Sequence, residues 1–121
     1  MTLHDTRFET RRRALAAELA SQRIDSILIT HLTHVRYLSG FSGSNAALIL
    51  NKDLSARICT DGRYTTQVEE EVPDIEALIK RNSAQKLLSQ VSGPRRVGFE
   101  ADYVSYAQKD MLQKSVAMTS R

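Results

Sequence analysis

Ala46-Ala47-Leu48-Ile49-Leu50-Asn51-Lys52-Asp53-Leu54-Ser55-Ala56-Arg57-Ile58-Cys59-Thr60 is the stretch whose reading decides the fold. Ala46 to Leu50 is a short, continuous apolar run, the pattern of a strand covered on both faces. Asn51 to Ser55 is a polar turn, and Ala56 to Thr60 is a second strand. The two are expected to form an antiparallel hairpin with a five-residue loop.

Working outward, Ser26 to Thr30 is another short, β-branched strand ahead of the hairpin. A helix precedes it, with Thr6 and Glu9 at capping-box spacing and Phe8, Leu15 and Leu19 on one side. After the hairpin, Asp61 caps a helix bearing Tyr64, Val68 and Val72, which Pro73 stops. Ile75 to Ile79 is a weaker strand. Ser83 opens a helix ended by Gly93-Pro94, Arg96 to Glu100 is the last strand, and Ser105 caps a final helix. The order is α-β-β-β-α-β-α-β-α. Strands alternating with helices favour parallel neighbours, and the hairpin puts one antiparallel strand among them. The expected fold is a three-layer α/β/α domain with a mixed, mostly parallel sheet of five to six strands and RNase H-like topology.

A chain of 121 residues supports one domain with a modest core, so residues 1–121 are read as a single unit. The formal charge of +3 comes from 17 Lys and Arg against 14 Asp and Glu. The only basic run, Arg11 to Arg13, falls inside a predicted helix and reads as a solvated face, so no nucleic-acid partner is expected. No apolar run nears membrane-spanning length, and the N-terminus has no apolar signal segment. No membrane association is expected, and the location expected is cytoplasmic. Cys59 alone permits no internal disulfide and reads as a small buried thiol.

Two turn-rich segments hold the remaining chemistry. One runs from Tyr37 through Gly40, Phe41 and Gly43 to Ala46, and the other is Thr60-Asp61-Gly62-Arg63-Tyr64. Loops on a rigid sheet are where function concentrates. His31 and His34 are a spacing apart that two ligands could use, but no third ligand lies near. Gly40-Phe41-Ser42-Gly43 misses the nucleophile-elbow spacing and leads into a strand, and no helix follows to make it a phosphate cradle. Asp61, Glu100 and Asp102 sit at strand ends, where capping or solvent exposure explains them better than two-metal nuclease chemistry. Gly40, Gly43 and Gly62 read as backbone devices and Asp61 as a helix cap. Arg63 is open between solvated charge and carboxylate or interface contact, and Tyr64 reads as core ahead of ligand.

The segments Tyr37 to Ser44, Thr60 to Gln67 and Val97 to Glu100 occur in an order that resembles the N-terminal domain of the creatinase, prolidase and aminopeptidase P family of Xaa-Pro peptidases. The resemblance covers essentially the whole chain. It implies a C-terminal pita-bread metallopeptidase domain in the full-length protein, absent from this sequence, where two divalent ions (manganese, cobalt or zinc) would be held. It implies no catalytic residue, metal ligand or cofactor within these residues. By the same resemblance the chain would shape the substrate pocket and support a homodimer, with proline-containing peptides as substrates and the C-terminal domain as its partner. His34, Phe41, Arg63 and Tyr64 are then candidates for pocket lining or the dimer interface, with Phe41 as an apolar wall. His34 stands where relatives often have Asn. Two alternatives share the same resemblance: a protein-binding module that has lost catalysis, and the N-terminal domain of a creatinase-type amidinohydrolase.

Overall fold

A computed structural model describes residues 6–91 and 96–100. Its elements are α1 (Arg7–Ser21), β1 (Ser26–Ile29), α2 (Leu32–Ser39), β2 (Ala46–Asn51), β3 (Ala56–Thr60), a 3-10 turn (Gly62–Tyr64), α3 (Thr65–Glu71), β4 (Glu76–Ile79), α4 (Ser83–Ser89) and β5 (Val97–Phe99). The five strands form one sheet in the order β4-β3-β2-β1-β5. β2 pairs antiparallel with both β1 and β3, whereas β3 with β4 and β1 with β5 are parallel. Four strands therefore run one way and β2 alone opposes them, as the hairpin implied. The expected Gly93-Pro94 helix stop and the Ser105 helix lie outside the described residues.

Alternation along the strands divides the core into two layers. Leu48, Leu50 and Ile58 face one side and are covered by Ala16 and Leu19 of α1, Val35 and Leu38 of α2, and Val68 of α3. Leu28, Ala47, Ile49 and Cys59 face the other side, beneath Leu87 and Leu88 of α4. Helices on both faces complete the three-layer domain. Cys59 is a buried free thiol, and burial pushes its pKa up.

One helix was not expected. The expected element order has no helix between the Ser26–Thr30 and Ala46–Leu50 strands, yet Leu32 to Ser39 is helical and buries Val35, Leu38 and Ser39. The local signals are weak because His31, at its N-cap, makes no side-chain cap bond. Distant residues supply the missing contacts. Glu100 accepts from the backbone N–H of Thr30 at 2.6 Å and of His31 at 3.0 Å, just ahead of the helix. At the other end, Arg11 donates to the Tyr37 carbonyl at 3.0 Å and Arg12 to the Leu38 carbonyl at 2.8 Å. The last carbonyls of a helix lack internal partners, so these guanidiniums satisfy them and complement the helix dipole.

That finding corrects the reading of Arg11 to Arg13 as a solvated face. Arg12 is 4% exposed and forms an ion pair with Asp74, and Arg11 stacks over the Tyr37 ring. Only Arg13 is a surface residue, paired with Glu9 one turn earlier. Glu9 is thereby turned away from a capping box, and Thr6 makes no side-chain cap bond.

Candidate functional site

Because β1, β3, β4 and β5 share a direction, their carboxyl ends and the amino end of β2 lie along one edge of the sheet. The pairs Ala46 with Thr60 and Thr60 with Ile79 place three of those ends side by side. The segments entering or leaving there are the Gly40–Asn45 loop, the Asp61–Tyr64 turn and Lys80-Arg81. Open α/β sheets bind ligands at that edge.

The loop into β2 is built by its glycines and by α3. Gly40 ends α2 in the left-handed region, at φ 85°, and its N–H donates to the Arg36 carbonyl at 2.8 Å. A Cβ there would come within 2.8 Å of the Phe8 ring, so both the backbone and the packing require glycine. At Gly43 a Cβ would enter the Phe41 ring and crowd Tyr64. Gly62, by contrast, has open space where a Cβ would stand. Ser42 donates from its backbone N–H and its hydroxyl to Glu71, each at 2.9 Å. Burial opposes ionisation of Glu71, but the Ser42 and Gln67 hydrogen bonds outweigh it and hold the carboxyl below its usual range.

Asp61 organises the second segment. Its carboxylate accepts the Arg63 backbone N–H at 3.0 Å, the capping bond the sequence implied, although the cap opens a 3-10 turn before α3 begins. It also accepts from one edge of the Arg63 guanidinium, Nε at 3.0 Å and Nη2 at 2.9 Å. Asn45 adds a bond at 2.8 Å from its amide and donates to the Arg81 carbonyl at 3.3 Å. Chiefly through Arg63, then Asn45, the Asp61 carboxyl is held well below the usual carboxylate range, and Arg63 is raised in turn.

Tyr64 has two roles. Its ring packs against the core and meets Phe41 edge-on at 5.6 Å between centroids. Its hydroxyl lies 2.5 Å from the Ser44 hydroxyl and accepts the Ser44 N–H at 3.1 Å, and these bonds lower its pKa. Tyr64 thereby joins the two segments. Phe41, expected as an apolar wall, is 2% exposed: its ring fills the core beneath the loop and offers no free face to a ligand.

An open cleft of roughly 970 Å³ lies between the segments, lined by Ser44, Asn45, Asp61, Gly62, Arg63, Ile79, Lys80 and Arg81. Arg63, Asp61 and Gly62 border it. His34 does not: it sits over the end of β5, where its Nδ1 pairs with Glu100 and its ring lies 4.9 Å from His31. Asn45 lies in the first turn-rich segment, whereas Lys80 and Arg81 are lining residues that sequence reasoning missed. Their signal was their place directly after the Ile75–Ile79 strand.

The described acids and histidines do not suit a metal pair. Among the described residues, no three His, Cys, Asp or Glu side chains are grouped to hold an ion. Asp61 is spent on Arg63, Glu71 on Ser42, and Glu100 on the approach to α2. No step of chemistry through a metal is derived from them.

With fold and site described, comparison with known proteins assigns the family. A family model for the creatinase/prolidase N-terminal domain matches residues 11–120, so the chain belongs to that family. It is 69% identical to the N-terminal, creatinase/prolidase-like domain of a candidate metallopeptidase from Corynebacterium diphtheriae. The TM-score is 0.89, over 91% of this chain and 89% of that one. The N-terminal domain of the cytoplasmic peptidase PepQ from Mycobacterium tuberculosis H37Rv is 37% identical, with a TM-score of 0.83 over 91% and 87% of the two chains. A curated relative, the uncharacterized peptidase YqhT of Bacillus subtilis, is 36% identical over 86 residues. That match takes in 69% of this chain and 24% of the relative, so the chain spans about a quarter of its length.

Proposed function

We propose that this chain is the non-catalytic N-terminal domain of a metal-dependent Xaa-Pro dipeptidase or aminopeptidase. In this reading it shapes the substrate pocket and supports a homodimer, in the cytoplasm. The observation that carries it is the fixed Arg63: an exposed guanidinium, pinned by a nearly buried carboxylate, at the rim of a cleft on the ligand-binding edge of the sheet. Family membership and the peptidase descriptions of the relatives support the same direction. No helix of the described residues is long and apolar enough to cross a membrane, which is compatible with that location.

The division of labour follows from the side chains. Asp61 and Glu71 are committed to hydrogen bonds that favour their ionised form, so neither is poised to move protons near neutral pH. What the edge offers is position. A rigid basic rim can orient a peptide and wall it from water while a separate domain supplies the chemistry.

The test uses the 121-residue chain. It is expected to hydrolyse no Xaa-Pro peptide and to retain no stoichiometric manganese, cobalt or zinc after gel filtration. Two tightly held ions per chain by elemental analysis would contradict the reading.

A further inference from the structure

The cleft carries a charge imbalance that points to a ligand. Among the described residues that line it, Asp61 is the only carboxylate, and it is neutralised by Arg63. Lys80 and Arg81 line the same cleft, and their side chains have no ion pair or hydrogen bond among the described residues. Arg63 spends Nε and Nη2 on Asp61, which leaves the Nη1 side of the fork uncommitted, and its side chain is 68% exposed.

The cations are well anchored through the backbone. The Lys80 N–H donates to the Thr60 carbonyl at 2.8 Å, and the Arg81 carbonyl accepts from Asn45. Beside them stands Ile79, one of three large apolar residues in the described chain that remain exposed, at 43%. Unpaired cations next to one open apolar side chain suit an organic anion whose apolar part adjoins its charge. Inorganic phosphate would leave Ile79 uncovered.

We infer that Lys80, Arg81 and the free side of Arg63 form a subsite for the free α-carboxylate of a short peptide, with the terminal residue's apolar ring against Ile79. The inference rests on the peptide-handling role proposed above and adds the chemical group recognised and the residues that recognise it. A carboxylate takes two parallel N–H bonds from a guanidinium edge, and Asp61 holds that edge in place. A peptide whose terminus is amidated loses the charge that the subsite reads. Short peptides, which bring their terminus close to the scissile bond, are therefore favoured over long ones.

The experiment is a two-dimensional NMR titration of the 121-residue chain with glycyl-proline, glycyl-prolinamide and inorganic phosphate, following the amides of Gly62, Lys80 and Arg81. Glycyl-proline is expected to give saturable shifts, and the amide and phosphate to bind about tenfold more weakly or not at all. The double variant Lys80→Gln/Arg81→Gln is expected to weaken glycyl-proline by about tenfold while unfolding at the same urea concentration. Equal binding of the amidated peptide, equal binding of phosphate, or no shift with glycyl-proline would each overturn the inference. These results are separable from the role proposed above. Metal or turnover in this chain sinks the accessory-domain reading whatever the titration gives, and a silent titration of a metal-free, inactive chain sinks only the subsite.

Discussion

Asp61 and Arg63 form a two-bond fork in which the partners differ sharply in exposure: the carboxylate is 12% exposed and the guanidinium 68%. The acid is a fixed support and the base is the part presented to the outside. A lysine cannot reproduce this, because an ammonium lacks the planar pair of donors. Arg63→Lys is therefore expected to lose most of the presentation that Arg63→Ala loses. The peptide titration checks it: a lysine variant that binds glycyl-proline as tightly as the unaltered chain would show that charge alone suffices.

Acid should weaken the same fork. A carboxyl whose folded pKa is depressed stabilises the fold above its unfolded value and loses that contribution as pH falls through the folded one. For Asp61 and Glu71, both shifted down, the loss begins near pH 4, the ordinary carboxylate range. Urea midpoints measured from pH 7 down to pH 3 should fall, and Asp61→Asn should reduce that slope while lowering the midpoint at pH 7. A variant as steep as the unaltered chain would remove Asp61 from the acid response.

The glycines of the two loop motifs should separate cleanly. Gly40→Ala meets both a positive φ and the Phe8 ring, and is expected to cost about 1–3 kcal/mol. Gly62→Ala, facing open space, should stay within about 0.5 kcal/mol. Equilibrium urea unfolding of the pair measures the difference, and equal effects would contradict the packing described.

Arg12 and Arg13 provide a second contrast. Arg12 is buried, paired with Asp74 and bonded to the end of α2, so Arg12→Ala should destabilise by about 3–5 kcal/mol. Arg13 is a surface partner of Glu9, and its alanine variant should change stability by less than about 1 kcal/mol. Thermal unfolding that ranks them the other way would place the basic run back on a solvated face.

The sequence made the sheet legible because its strands carry their own signal. The hairpin from Ala46 to Thr60, the single opposed strand and the Asp61 cap all follow from local pattern. α2 was not legible in the same way, although Leu32, Val35 and Leu38 keep helical spacing and Gly40 is a C-terminal stop. Its support comes from Arg11, Arg12 and Glu100, far away in the chain, and contacts of that kind leave no local trace. The site divided likewise. Asp61 and Arg63 sit two residues apart and were readable, whereas Lys80 and Arg81 reach the cleft only once β3 and β4 pair. The family resemblance implied Phe41 as a pocket wall, but Gly43 lets its ring turn inward.

The most direct test of the central claim is kcat/KM for a Xaa-Pro dipeptide in the full-length protein carrying Arg63→Ala, with metal content measured on the same sample. An accessory role predicts a fall of about tenfold or more, with metal content unchanged. Unchanged kcat/KM, or loss of activity together with loss of metal, would contradict it.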